Sequence, residues 1–182
     1  MTIGELKYRE NIAEYILYLW QMQDLLRAVE FNVEALDGFI RSYIGGEDRI
    51  QEEKMWLQKL SEAMSSDGVL KKGSVVEISE LISELNFLHQ TLTTLFKDNG
   101  YLELFENIQE PLAEYKLRSG AKNLSDVEMC LTALYGLLLL RLKKQQVSEE
   151  TAAAMESFTK WLAFLSVQYH KMKKGEELQY FN

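Results

Sequence analysis

The sequence predicts an all-α fold, a single mostly antiparallel bundle of about seven helices spanning residues 1–182. Three observations carry that prediction. Apolar residues recur at spacings of three and four along almost the whole chain, and alternating strand patterns of useful length are absent. Helix signals follow one another at short intervals, with Asn32, Ser74, Ser125 and Ser148 ahead of helical stretches and Gly45-Gly46, Asp67-Gly68, Asn99-Gly100, Ser119-Gly120 and Gly175 behind them. Residues 129–140 carry no charge, which marks a helix that neighbours must surround.

Taken in order, the first helix is expected from about Glu5 to Val29. Its wheel puts Glu10, Glu14 and Gln21 in one narrow polar stripe. Ala13, Ile16, Leu17 and Trp20 lie on one side of the stripe, and Tyr15, Tyr18, Met22, Leu25 and Val29 on the other. Asn32 caps a short second helix carrying Val33, Leu36, Ile40 and Tyr43. A third runs from about Glu47 to Ser65 with Ile50, Leu57, Leu60 and Met64 inward. Ser74 and Glu77 form a capping box for a fourth, which extends to about Asp98. Its inner positions are Ile78, Leu81, Ile82, Leu85, Leu88, Leu92, Leu95 and Phe96.

The fifth helix contains Pro111, which removes a donor and crowds the preceding turn. Tyr101, Phe105, Ile108, Leu112 and Tyr115 nevertheless keep the helical rhythm across it, which predicts one kinked helix rather than two. The sixth, from Ser125 to Lys144, opens on a Ser125/Glu128 capping box and ends in Arg141, Lys143 and Lys144, which complement its dipole. Leu131, Leu134, Leu138 and Leu139 are expected among the most buried residues, with Trp20, Leu85, Leu92, Trp161 and Leu165 close to them. The seventh, capped by Ser148, turns Met155, Phe158, Trp161, Leu162, Leu165, Tyr169 and Met172 inward.

A chain of 182 residues with 47% hydrophobic residues can bury one sizeable core, and with a single proline and no Gly/Ser linker it offers no domain boundary. A net charge of -8 argues against a nucleic-acid partner bound through phosphates. The charged N-terminus is not a signal peptide, and residues 129–140 fall well short of the ~20 that cross a bilayer, so no membrane partner is expected. The lone Cys130 lies inside the apolar run, where a buried inert thiol and a reducing compartment are the expectation. The protein is read as cytoplasmic.

The run Arg9-Glu10-Asn11-Ile12-Ala13-Glu14-Tyr15 followed by Leu19-Trp20-Gln21, the segment Leu88-His89-Gln90, and the block from Ala133-Leu134-Tyr135-Gly136 to Lys174-Gly175 resemble domain-of-unknown-function family 4924, small proteins of Bacteroidetes. The likeness covers nearly the whole chain. It implies a helical protein from a gut-type bacterium without an assigned activity, and brings no catalytic residues.

Signals for chemistry are sparse. Di-iron bundles need Glu followed three residues later by His, and the nearest approach is Asn86-Phe87-Leu88-His89. With two histidines and one thiol, a zinc site is not expected, and no Gly-rich phosphate loop or nucleophile elbow is present. No metal, no cofactor and no catalytic residue are therefore assigned. His89 falls on an inward face and is expected to be largely buried and paired, whereas His170 is expected in solvent. Glu77, Glu80 and Glu84, and likewise Glu103, Glu106, Glu110 and Glu114, read as solvated faces.

Two function classes follow. The favoured one is a non-enzymatic helical module acting through contacts with a protein partner whose identity the residues do not give. The alternative is a small-molecule binder or metal-assisted hydrolase built on the candidate polar cluster Glu10, Glu14, Gln21 and His89. A two-fold homodimer is also expected, paired through Tyr15, Tyr18, Met22, Leu25 and Val29, because tyrosine and methionine are enriched at interfaces. A covering of that flank by the second helix or by the tail Leu178 to Phe181 is the competing expectation.

Overall fold

Asn11 breaks the first predicted helix in two. Its backbone is extended (φ -154°, ψ 105°), ending α1 (Ile3–Glu10) and capping α2 (Ile12–Ala28), because its side-chain oxygen accepts from the Ala13 and Glu14 N–H groups at 3.0 and 3.2 Å. Thr2 and Glu5 close a full capping box at the start of α1. The computed structural model describes residues 1–96, 99–120 and 123–175. Among them are eight α-helices, one short 3-10 turn, one π segment and no strand, so the all-α bundle has one helix more than the periodicity implies.

The chain divides into two compact units, Met1–Glu80 and Leu81–Asn182. In the first, Val33–Leu36 is a 3-10 turn leading into α3 (Asp37–Tyr43), and Asn32 makes no side-chain cap. α4 (Glu47–Ser66) packs against α2 and α3 and buries Ile50, Leu57, Leu60 and Met64 as expected. The loop after Asp67 is held by Arg27, whose guanidinium donates to the carbonyls of Val69, Leu70 and Gly73 at 2.9, 3.3 and 2.6 Å. Gln23, almost fully buried, accepts the Val75 N–H and donates to the Leu19 carbonyl. Asp67 accepts the first N–H of α5 (Val76–Thr91), and Glu77 accepts the Tyr15 hydroxyl at 2.9 Å.

α5 does not continue as an α-helix to Asp98. From Leu92 to Phe96 it widens to a π segment, and residues 97 and 98 lie outside the described residues. A π turn holds an extra residue, so the positions along and after it rotate away from their α-helical register. Leu95, expected inward, is 78% exposed for that reason. Ile78, Leu81, Ile82, Leu85, Leu88 and Leu92, which precede the rotation, are all buried.

In the second unit, α6 (Asn99–Ser119), α7 (Asp126–Leu142) and α8 (Glu149–Lys173) pack on one another. Pro111 sits inside α6 without ending it. Ser125 and Ser148 cap α7 and α8 through the Glu128 and Thr151 N–H groups. α7 is less enclosed than its composition implies. Val127, Met129, Cys130, Leu131, Ala133 and Leu137 are buried, but Leu134, Leu138 and Leu139 are only half-buried and Leu142 is exposed. Trp20 is likewise half-buried, while Leu85, Leu92, Trp161 and Leu165 are core residues.

α7 closes on Lys144 in the left-handed region (φ 55°), with the Gln145 N–H reaching back to the Leu140 carbonyl. Glycine suits that position and a side chain strains it. Lys144→Gly is expected to raise the unfolding free energy by about 0.5–1 kcal/mol in urea titration.

Candidate functional site

α5 brings His89 to the start of the π segment. There the Thr93 hydroxyl donates to the His89 carbonyl at 2.9 Å, supplying a hydrogen bond where the backbone ladder changes pitch. π segments concentrate at functional positions, which makes this turn the natural centre of a site. α6 contributes Tyr101 and Phe105, and α8 contributes Trp161 and Phe164. His89 Nδ1 lies 2.6 Å from the Tyr101 hydroxyl, and its ring meets Phe105 and Trp161 edge-to-face at centroid distances of 4.6 and 5.4 Å. Tyr101 and Trp161 are fully buried, and His89 is half-buried. His89 is thus paired as expected, though less enclosed than the sequence implies.

Burial pushes the His89 ring below its ordinary value, against a smaller opposing pull from the Asp126 carboxylate, so the ring is neutral at pH 7. With its proton on Nε2, the ring accepts the Tyr101 O–H at Nδ1. Burial drives the Tyr101 hydroxyl far up, and the nearby Trp161 indole pulls the other way. The Trp161 Nε1–H is itself buried and makes no hydrogen bond of good geometry. Asp126 pairs with Lys116 at the rim. Cys130 is fully buried, and burial, reinforced by Asp126, pushes its thiol well up, as an inert core thiol requires.

A ring that resists protonation when folded binds fewer protons there than in the unfolded chain. Its stabilising contribution is therefore complete above the unfolded value near 6.5 and is lost as pH falls below it. His170 is half-buried rather than solvated, with its Nε2 enclosed, and burial lowers its value too. The urea midpoint is expected to fall between pH 7.5 and 5.5, and His89→Gln to make that slope shallower without abolishing it.

The remaining cluster residues lie in the first unit. Glu10 and Glu14 are exposed, with Glu14 paired to Lys7 at 2.9 Å, and Gln21 is half-buried. Two open clefts of about 270 and 340 Å³ in that unit take in none of the three. The proposed interface flank requires correction. Tyr15, Tyr18 and Met22 are buried within the chain, and Leu25 and Val29 are half-buried. Tyr8 of α1 packs edge-on against Tyr15, and Trp56 of α4 stacks on Tyr18 at 5.5 Å, so α1 and α4 cover the Tyr15 and Tyr18 part of that flank. The tail from Leu178 to Phe181 lies outside the described residues.

Sequence reasoning missed a second polar centre. Glu53, on α4, is fully buried and accepts the Tyr18 hydroxyl at 2.7 Å and the Ile3 N–H at 3.0 Å. Burial, followed by the Glu53 charge, raises Tyr18, and the same two causes push Tyr43 up to about 12. Lys54, beside it in sequence, is buried between Glu34 and Asp37 at 2.7 and 2.8 Å. In the second unit Glu84 accepts the Tyr169 hydroxyl and pairs with Lys173, each at 2.7 Å, and the Lys173 bond foremost holds its carboxyl below the usual range. Among the described residues, no three His, Cys, Asp or Glu side chains converge to hold a metal, and no helix is long and apolar enough to cross a membrane.

A family model matches residues 1–176. The chain belongs to the family described as Domain of unknown function (DUF4924). This is the family that the Arg9 to Gln21 run, the His89 segment and the α7–α8 block resemble. No curated protein and no solved structure matches the chain. Membership in DUF4924 therefore assigns no activity.

Proposed function

We propose that this protein is a non-enzymatic helical module that acts through protein contacts in the cytoplasm. The observation that carries the reading is the contrast between interior and surface along α5 and its π segment. His89 is consumed in a Tyr101 bond and an aromatic packing, whereas Phe87 and Leu95, on the same run, are 66% and 78% exposed. Large apolar side chains on one surface element suit a partner, and a catalytic group spent on packing suits no substrate. Glu53, Lys54 and Glu84 support the same reading, since each is engaged by named internal partners. Self-association belongs to this reading as well, on residues other than the buried Tyr15 flank.

The test is cross-linked capture from the native cell with the wild type beside Phe87→Asp, Leu95→Asp. The reading expects a near-stoichiometric partner held by the wild type and lost by the double variant, with unchanged helical circular dichroism. Equal capture by both proteins would place the contact elsewhere and contradict it.

A small-molecule role for His89 keeps one observation in its favour, the buried Trp161 N–H beside the His89–Tyr101 pair, which makes no hydrogen bond of good geometry. A ligand that accepts from this N–H would raise the melting temperature of the wild type and leave Trp161→Phe unmoved.

A further inference from the structure

α1 is a docked arm. Ile3 N–H and the Tyr18 hydroxyl meet the same Glu53 carboxylate, whereas in one continuous helix residues 3 and 18 would stand about 22 Å apart, so α1 doubles back beside α2. Its seat is specific. The backbone of Gly4 lies on Trp56 so closely that a Cβ there would come within 2.5 Å of the indole, and the N-terminal ammonium pairs with Glu52 at 2.6 Å. The arm buries little of itself, although its Tyr8 ring packs edge-on against Tyr15. Within α1 only Gly4 is buried, and Leu6 and Tyr8 remain 38% and 40% exposed. Elements with little buried apolar surface open at low free energy.

The single residue Asn11 holds the reversal. Its side chain takes the Ala13 and Glu14 N–H groups, which a continuous helix would give to the carbonyls of Arg9 and Glu10. The helical rhythm of the sequence runs unbroken through this position. The chain therefore supports two arrangements of one segment, folded back or straight, and a straight α1 leaves its own Glu53 and Trp56 seat empty while presenting Ile3 and Gly4 outward.

We infer that α1 is an exchangeable arm whose second seat is the Glu53 and Trp56 site of another copy of this chain, giving a two-fold arm-swapped dimer. The occupant is set by complementarity, since a second copy's Ile3 N–H and Gly4 fit that seat as the chain's own do. Exchange of an identical element is a low-cost route to dimers, and short hinges favour it. The inference rests on the protein-contact reading and gives it a self-partner. It is separable from that reading, because the arm lies apart in sequence and element from Phe87 and Leu95.

Analytical ultracentrifugation of the full chain, with hydrogen exchange of the Ile3 amide, tests it. Asn11→Ala removes the cap and favours the straight form, so the dimer association constant is expected to rise about tenfold, with Ile3 still protected. Two glycines inserted between Asn11 and Ile12 let the arm return to its own chain and are expected to weaken the dimer about tenfold. Adding Gly4→Leu to Asn11→Ala blocks the seat and is expected to give monomer with an unprotected Ile3 amide. An Asn11→Ala protein that keeps its helix content yet stays monomeric at every concentration overturns the inference. So does a dimer that survives Gly4→Leu, or one indifferent to the inserted glycines. A monomeric result leaves capture through Phe87 and Leu95 standing.

Discussion

Trp161→Ala is expected to cost about 4 kcal/mol of unfolding free energy, the largest effect of any single substitution proposed for this chain. Trp161 is the largest fully buried side chain, and it contacts His89, Tyr101 and Phe105 from three directions. Its removal strips the aromatic wall from α5 and α6 together and leaves a cavity between packed helices that relax only in part. Trp161→Phe supplies the control. It keeps a ring in place and deletes an N–H that is buried with no hydrogen bond of good geometry, so the lost volume is offset in part by removal of a poorly satisfied donor. A cost of about 1 kcal/mol is expected for it, measured as the shift in urea midpoint at constant slope. Equal losses for both substitutions would mean that the N–H, rather than the ring, holds this corner.

Glu53→Ala ranks second, at about 3 kcal/mol. The carboxylate accepts two bonds that reach it from different elements, Ile3 N–H before α2 and the Tyr18 hydroxyl on it. Removing one partner of a buried polar pair leaves the other to bear its desolvation alone, and here two donors are stranded at once. Tyr18→Phe deletes a single bond together with its donor and is expected to cost less than half as much. Glu53→Gln, which retains one acceptor, should fall between them. Chemical denaturation of the three variants gives the order, and a Glu53→Ala protein as stable as Tyr18→Phe would show that Ile3 finds another acceptor and that α1 is not anchored by this carboxylate.

What the sequence made legible follows from the range of each interaction. α4, α7 and α8 were readable because their apolar spacing and their Ser125, Ser148 and Asp67-Gly68 signals lie within a few residues of the structure they cause. Passage through Pro111 was readable from an apolar rhythm that a loop would have interrupted. The break at Asn11 was missed although its signal is local, since Asn11 with Glu14 and Thr2 with Glu5 both carry helix-start spacing and the continuous period outweighed them. Glu53 and Lys54 were not legible at all. Two adjacent charges on a helix read as surface, and only partners more than 15 residues away, Ile3 and Tyr18 for one and Glu34 and Asp37 for the other, make their burial tolerable.

The site divides the same way. An inward position for His89 was visible in its helical phase, but its tyrosine partner stands beyond the π segment, for which spacing gave no warning. That segment also turned Leu95 outward, moving an expected core residue to the surface on which the proposed contact depends. A helical wheel points to an interface at Tyr15 and Tyr18 because it shows which side is apolar and not what covers it. Tyr8 and Trp56 cover it.

We propose that the ionisable side chains of the interior hold helices together rather than serve chemistry. Equilibrium unfolding of His89→Leu tests it most directly, because groups retained for activity commonly stabilise a protein when replaced by apolar ones, whereas structural partners do not. A loss of about 2 kcal/mol with an unchanged urea slope is expected, as the buried Tyr101 hydroxyl loses its acceptor. A His89→Leu protein more stable than the wild type would contradict it.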